Sequence, residues 1–272
     1  MTDQAMKAER FKSLHQSGCF VIPNPWDVGS AKVLEGLGFK ALATTSAGFA
    51  RSTGVDDYEL TRETVLAHVA DLCSATQLPV SADLENGFGH RPEDCFETIT
   101  LGAKAGLVGG SIEDFAGAPG EQYPIEEAKD RVSAAVEAAR AQPFPFMLTA
   151  RAENFFTCTP DLSDAIARLQ AYQEAGADVL YAPGLRSMDD IKSVLASVDR
   201  PVNVLLGPGD GFVPVSKLAE LSVRRISVGS VLANAAMDAL IKAGKELLGP
   251  GTFGFMGGMT PSSEIIDLMF KR

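Results

Sequence analysis

Asp83 and Glu85 are the residues best placed to do chemistry. They lie in the stretch Ser81-Ala82-Asp83-Leu84-Glu85-Asn86-Gly87-Phe88-Gly89. This stretch follows Leu78-Pro79-Val80, the pattern of a short buried strand running into a glycine-rich turn. A spacing of two puts both carboxylates on one face of a strand. Side by side they repel unless a proton or a cation separates them. No histidine or cysteine belongs to the cluster, so the chemistry it suggests is that of a hard cation. A polar strand end with solvated acids has the same composition, and the rest of the chain must decide.

Other predicted strand ends add to the same rim. Thr45 and Ser46 follow the second strand, Glu113 and Asp114 end the fourth, and Arg151 and Glu153 end the fifth. Active sites of parallel barrels sit at these ends. Glu113 and Asp114 are adjacent, so only one can face inward while the other caps or turns. Arg151 either neutralises neighbouring acids or holds a substrate carboxylate, and Glu153 shares its face as a candidate partner. His90 follows the Gly-Phe-Gly turn and either reaches the rim or stays exposed. Gly207-Pro208-Gly209-Asp210-Gly211 lacks the lysine and serine of a P-loop and reads as a tight rim loop.

The elements that must position these residues alternate regularly. A polar helix from Asp3 to Ser17 comes first. Strands are expected at Cys19–Pro23, Ala41–Thr45, the Pro79 run, Gly109–Asp114, Phe146–Glu153, Val179–Pro183, Val202–Leu206 and Arg225–Gly229. Helices follow them, and residues 46–57 read as a long connecting loop. Eight strand–helix units with no run of consecutive strands predict an α/β fold, a (β/α)8 barrel, as a single domain over 1–272. A glycine-rich connector leads to an extra C-terminal helix at about 260–270.

Composition bounds the function. There are 24 basic and 35 acidic residues, a net charge of −11, which argues against a nucleic-acid groove or an anionic membrane surface. No apolar stretch is long enough to span a bilayer. The four cysteines show no metal-ligand spacing and read as reduced cytoplasmic thiols.

From Asn24 to the last helix, the chain resembles the isocitrate lyase and phosphoenolpyruvate mutase superfamily. SADLENGFG is similar to that family's Asp-x-Asp-Thr-Gly-(Phe/Tyr)-Gly segment, and TTSAGFARSTGVDD, SIEDF and TARAENF also match. The resemblance implies Mg²⁺, or Mn²⁺, among Asp57, Asp83, Glu85 and Glu113, partly through water. It implies a substrate carboxylate on Arg151, with Asp83 beside the substrate. Thr45, Ser46 and Ala47 would offer a hydroxyl and N–H groups to the other end of a 2-oxo acid. Arg151, Thr45 and Ser46 are the expected catalytic residues. It further implies a homo-oligomer, a tetramer, and the glycine-rich connector with its terminal helix gives the chain reach to pack on a neighbour.

Two departures shape the expected activity. Glu85 stands where most members carry aspartate. Phe115 to Tyr123 lacks the lyases' Lys-Lys-Cys-Gly-His loop and offers only Glu121 as an acid. The expectation is a lyase or decarboxylase acting on a small 2-oxo acid such as oxaloacetate. The alternatives are a P–C bond enzyme of the phosphonomutase or phosphonopyruvate hydrolase type, or a 2-oxo acid binding protein without turnover.

Overall fold

The computed structural model describes residues 2–270, apart from 118–120, 158–159, 186 and 209–212. Eight parallel strands make the ring: β1 (Phe20–Ile22), β2 (Leu42–Ala43), β3 (Val80–Asp83), β4 (Gly109–Glu113), β5 (Met147–Arg151), β6 (Val179–Tyr181), β7 (Val202–Leu205) and β8 (Arg225–Ser227). Their hydrogen-bonded order is β1-β8-β7-β6-β5-β4-β3-β2. The remaining gap, between β1 and β2, is drawn together by the Ala43 N–H on the Pro23 carbonyl at 3.1 Å. Asn24 finishes the closure. Its amide donates to Thr44 O at 3.0 Å, and its Oδ1 accepts from the Val228 and Gly229 N–H groups at 3.0 and 2.9 Å. The barrel expected from the alternation is the fold observed.

The helices are α1 (Asp3–Leu14), α2 (Val28–Gly36), α3 (Ser46–Thr53), α4 (Arg62–Ala75), α5 (Pro92–Lys104), α6 (Ile125–Arg140), α7 (Asn154–Thr157), α8 (Leu162–Glu174), α9 (Met188–Ser197), α10 (Val215–Glu220), α11 (Val231–Leu248) and α12 (Ser262–Phe270). Val69, Ile99, Val132, Leu169 and Val194 come from α4, α5, α6, α8 and α9. They pack on outward-facing strand residues such as Val80, Leu148, Leu180 and Val202. Each such buried side chain contributes about 1.5–3 kcal/mol. α1 plugs the other end of the barrel. Thr2 caps it, and Ala8 and Phe11 share an apolar cluster with Ile22 and with Ala41, Val108, Met147 and Val179 at or just before the strand starts.

Three sequence expectations change. Residues 46–57 are not simply a loop, because Ser46–Thr53 is helical. Thr45 Oγ1 accepts from the Gly48 N–H at 3.2 Å, and Gly54 ends the helix in the left-handed conformation, φ +84°. A second short helix, Asn154–Thr157, follows β5. The connector before α12 is pinned rather than free: Glu246 accepts from the Thr252 hydroxyl and from the Gly254 and Phe255 N–H groups. α12 rests on α2 of its own chain, where a Cβ on Gly36 would lie 2.1 Å from Leu268 O. Positions 209–211 of the expected rim loop, and Cys158, lie outside the described residues. Among the described residues no helix is long and apolar enough to cross a membrane.

Asn24 is 5% exposed and serves three backbone groups. Replacing it with alanine takes the partner from two part-buried N–H donors and from a buried carbonyl. Asn24→Ala should therefore cost about 2–4 kcal/mol of stability, read as a lower urea midpoint with unchanged m-value.

Candidate active site

Strand register brings the charged residues together. Asp83 ends β3, Glu113 ends β4 opposite Arg151 of β5, and Glu153 follows two residues later. Arg151 reaches Asp83 at 2.8 Å, Glu113 at 3.1 Å and Glu153 at 2.8 Å. Burial opposes its charge, yet Asp83, Glu113 and Glu153 hold its guanidinium well above the ordinary arginine pKa. Burial drives Glu113 well above the usual carboxylate range, with Arg151 opposing. Glu153 rises to about 7 for the same leading reason.

Asp57, Asp83 and Glu85 form the second half of the cluster. Asp83 Oδ2 accepts from the Ser46 hydroxyl at 3.2 Å, and its backbone N–H donates to Thr44 Oγ1 at 3.0 Å. Glu85 is buried with φ +49°, a left-handed conformation unusual for glutamate. Burial, then the charges of Asp83 and Asp57, push its carboxyl up to about 8. Burial, then Asp83, also raise Asp57. Asp57 Oδ1 and Glu85 Oε1 are both buried and without a hydrogen-bond donor. Orphaned oxygens on mutually repelling carboxylates fit a hard divalent cation, which takes oxygen ligands and would relieve that repulsion. The four expected ligands do not, however, stand in one group. Glu113 faces Arg151 and Tyr58, and no cluster of three or more potential ligands is preassembled among the described residues.

Of the adjacent acids at the end of β4, Glu113, its last residue, faces Arg151, and Asp114 follows it. Asp114 turns away to Arg168, Tyr172 and the Glu153 N–H, which it holds at 2.8 Å. Thr45, Ser46 and Ala47 line the mouth cavity of about 480 Å³ together with Asp57, Asp83 and Arg151. Thr45 uses its hydroxyl oxygen to cap α3, so the first N–H groups of that helix open beside the acids. His90 is exposed and hydrogen-bonds Tyr123 through Nδ1 at 2.7 Å. Glu121 is exposed on a separate side cavity with His90 and Glu85, and does not line the mouth.

Sequence reasoning missed three residues of this site. Tyr58, with φ +64°, donates to Glu113 Oε1 at 2.7 Å. Asn203 of β7 and Arg225 of β8 line the far wall of the cavity. The available signal was polarity inside runs that otherwise read as buried strands.

Glu85 gives a pH test. Its folded pKa lies above its unfolded value, so its contribution is fully present below about pH 4.5 and is lost as pH rises towards 8. In EDTA the protein's Tm should fall between pH 5 and 8, and the Tm of Glu85→Gln should fall less. A parent Tm that rises over this window, with Glu85→Gln parallel to it, would show that Glu85 ionises freely.

The model of the phosphoenolpyruvate phosphomutase family matches residues 11–248. A crystal structure from Burkholderia cenocepacia J2315, described provisionally as a lyase/mutase, is 51% identical with a TM-score of 0.95. It covers 97% of this chain and 96% of that one. Uncharacterized protein MT2054 of Mycobacterium tuberculosis (strain CDC 1551 / Oshkosh) is 31% identical over 240 residues, 87% of this chain and 88% of its own length. The oxaloacetate decarboxylase of Rhodopseudomonas palustris (strain BisA53) is 30% identical over 237 residues, 84% of this chain and 80% of its own.

Proposed function

The chain belongs to the phosphoenolpyruvate phosphomutase family, within the isocitrate lyase and phosphoenolpyruvate mutase superfamily, and from that premise we propose a divalent-metal-dependent decarboxylase of small 2-oxo acids, with oxaloacetate as the model substrate. One observation carries this reading. Asp57, with a donorless buried carboxylate oxygen, lines a cavity sized for a small ligand together with Asp83 and the N-terminus of α3. Burial, then the charges of Asp83 and Asp57, raise the pKa of Glu85, which carries the second donorless oxygen. The likeness to oxaloacetate decarboxylases supports the substrate class.

Asp57, Asp83 and Glu85 would hold Mg²⁺ or Mn²⁺, with Glu113 behind them. The bound ion would supply Lewis-acid polarisation of the 2-oxo group. The C3–C4 bond of oxaloacetate breaks, CO₂ leaves, and the electron pair moves onto the 2-oxo oxygen. The N–H groups of Ser46 and Ala47 stabilise the charge that develops there, joined by the Ser46 hydroxyl once it turns from Asp83. Thr45 fixes the helix that presents them. Water then protonates C3 and pyruvate is released. Arg151 orients the substrate carboxylate, but not by free two-point capture. Its Nε and both terminal nitrogens already face carboxylates, so one contact must yield.

The P–C reading draws on the family's own description. Against it stands the stretch from Phe115 to Tyr123, which carries no lysine or arginine for a phosphoryl group. The free thiols of Cys19, Cys73 and Cys95 suit the cytoplasm.

With Mg²⁺ the purified protein should decarboxylate oxaloacetate well beyond the rate of Mg²⁺ alone. Arg151→Ala should lower kcat/KM by at least about 100-fold, equivalent to about 2.7 kcal/mol. Vigorous cleavage of methylisocitrate, or no turnover of any 2-oxo acid despite tight oxalate binding, would overturn this reading.

A homo-tetramer is the assembly we propose. Leu240, Leu248, Phe253 and Met259 are 60–92% exposed on α11 and the connector, an apolar face suited to a second copy. Light scattering at micromolar protein should give the tetramer mass, and a monomer would refute it.

A further inference from the structure

Arg225 sits inside the barrel, 6% exposed, on the wall of the mouth cavity. In the strand order, β7 and β8 stand across the ring from β3 and β4, which carry Asp83 and Glu113. Its two hydrogen-bond partners are neutral. Nε donates to Asn203 Oδ1 at 2.9 Å and Nη2 to Thr149 Oγ1 at 3.0 Å. Asn203 is itself fixed by its amide on Ser227 Oγ at 2.9 Å. Among the described residues no carboxylate pairs with Arg225, whereas Arg151 meets three. Arg51, at the same mouth, is exposed and solvated.

A buried cation without a counter-charge is costly. Burial pulls this guanidinium down to about 10, still charged at neutral pH. Barrel interiors are ordinarily filled by branched apolar side chains. Here the guanidinium is oriented but not neutralised, and donors remain beyond the two in use.

We propose that Arg225 is the specificity residue for a further carboxylate of the substrate, neither the one on Arg151 nor the one lost as CO₂, which survives into the product. The inference rests on the 2-oxo acid reading of the mouth and narrows its substrate class. An arginine on the carboxylate that departs as CO₂ would stabilise the ground state and slow its loss. The preferred substrate is therefore a 2-oxo tricarboxylate, an oxaloacetate extended at C3 by a branch that ends in a carboxylate, since of oxaloacetate's own two carboxylates one lies on Arg151 and the other is lost as CO₂.

Two ligands of matched length test this by binding alone. 2-Oxoglutarate ends in a carboxylate where 2-oxovalerate ends in a methyl group. With Mg²⁺, the parent should bind 2-oxoglutarate at least tenfold more tightly by calorimetry. Arg225→Met should abolish that preference while keeping oxalate affinity within about twofold of the parent. Asn203→Asp keeps the arginine but places a carboxylate beside it, and should also abolish the preference. Equal binding of the two ligands by the parent, or a preference that persists in either variant, overturns the proposal. Tighter binding of 3-phosphonopyruvate than of 2-oxoglutarate would assign the site to a phosphonate and overturn the carboxylate assignment. None of these readouts needs turnover, so failure of oxaloacetate decarboxylation is scored separately.

Discussion

Arg151 enters the mouth from β5 and meets carboxylates from β3, from β4 and from just beyond its own strand. All four groups are largely removed from water, where unbalanced charge is expensive. One guanidinium cannot balance three ionised acids, and Asp57 and Glu85 add two more beside them. Burial raises the pKa of Glu113 and Glu153, and the neighbouring acids add to it against the pull of Arg151. Either protons stay on the cluster or a further cation joins it. The donorless oxygens of Asp57 and Glu85 make no hydrogen bond to Arg151, whose contacts go to Asp83, Glu113 and Glu153.

Much of the surrounding structure holds this arrangement against its own repulsion. Asp114 anchors the Glu153 backbone and is itself fixed by Arg168 and Tyr172. Arg131, fully buried in α6, donates to the carbonyls of Asn86 and Gly89, pinning the turn that follows Glu85. Gly87 in that turn has φ +85°, and a Cβ there would lie 2.9 Å from Cys95 Sγ, so the turn admits glycine alone without rearrangement. Glu85 and Tyr58 keep left-handed conformations that side chains ordinarily avoid. Such strain persists only where the surroundings over-determine it. Here those surroundings are an arginine clamp on one side and the Tyr58–Glu113 hydrogen bond on the other.

The barrel was legible because its signal is local. Apolar runs alternate with helical periodicity, and the bounds of α9 and α11 follow from it directly. Asp83, Glu113 and Arg151 were legible because each ends a strand, and strand ends share a rim. α3 was not, since its signal is a capping threonine and a terminal glycine around a segment of weak apolar pattern. Tyr58 gains its role from Glu113, 55 residues away, and Arg225 from Thr149, 76 residues away. Sequence spacing carries no trace of pairings at that separation. What it does carry is the anomaly of an asparagine and an arginine within buried strands.

The two buried arginines divide the cavity into unlike halves. Around Arg151 the guanidinium is saturated by acids, and the local balance is negative. Around Arg225 the partners are an amide and a hydroxyl, and the balance is positive. Ser81, Ser111 and Ser227 leave space between them where larger side chains would fill the barrel. The chain as a whole carries a net charge of −11, so its long-range field does not draw anions in. Selection of an anionic ligand must then come from contacts made inside the cavity, at short range and low dielectric. A ligand with a cation-seeking end and a metal-seeking end would have one favoured orientation there, set by the asymmetry of the walls and not by its shape alone.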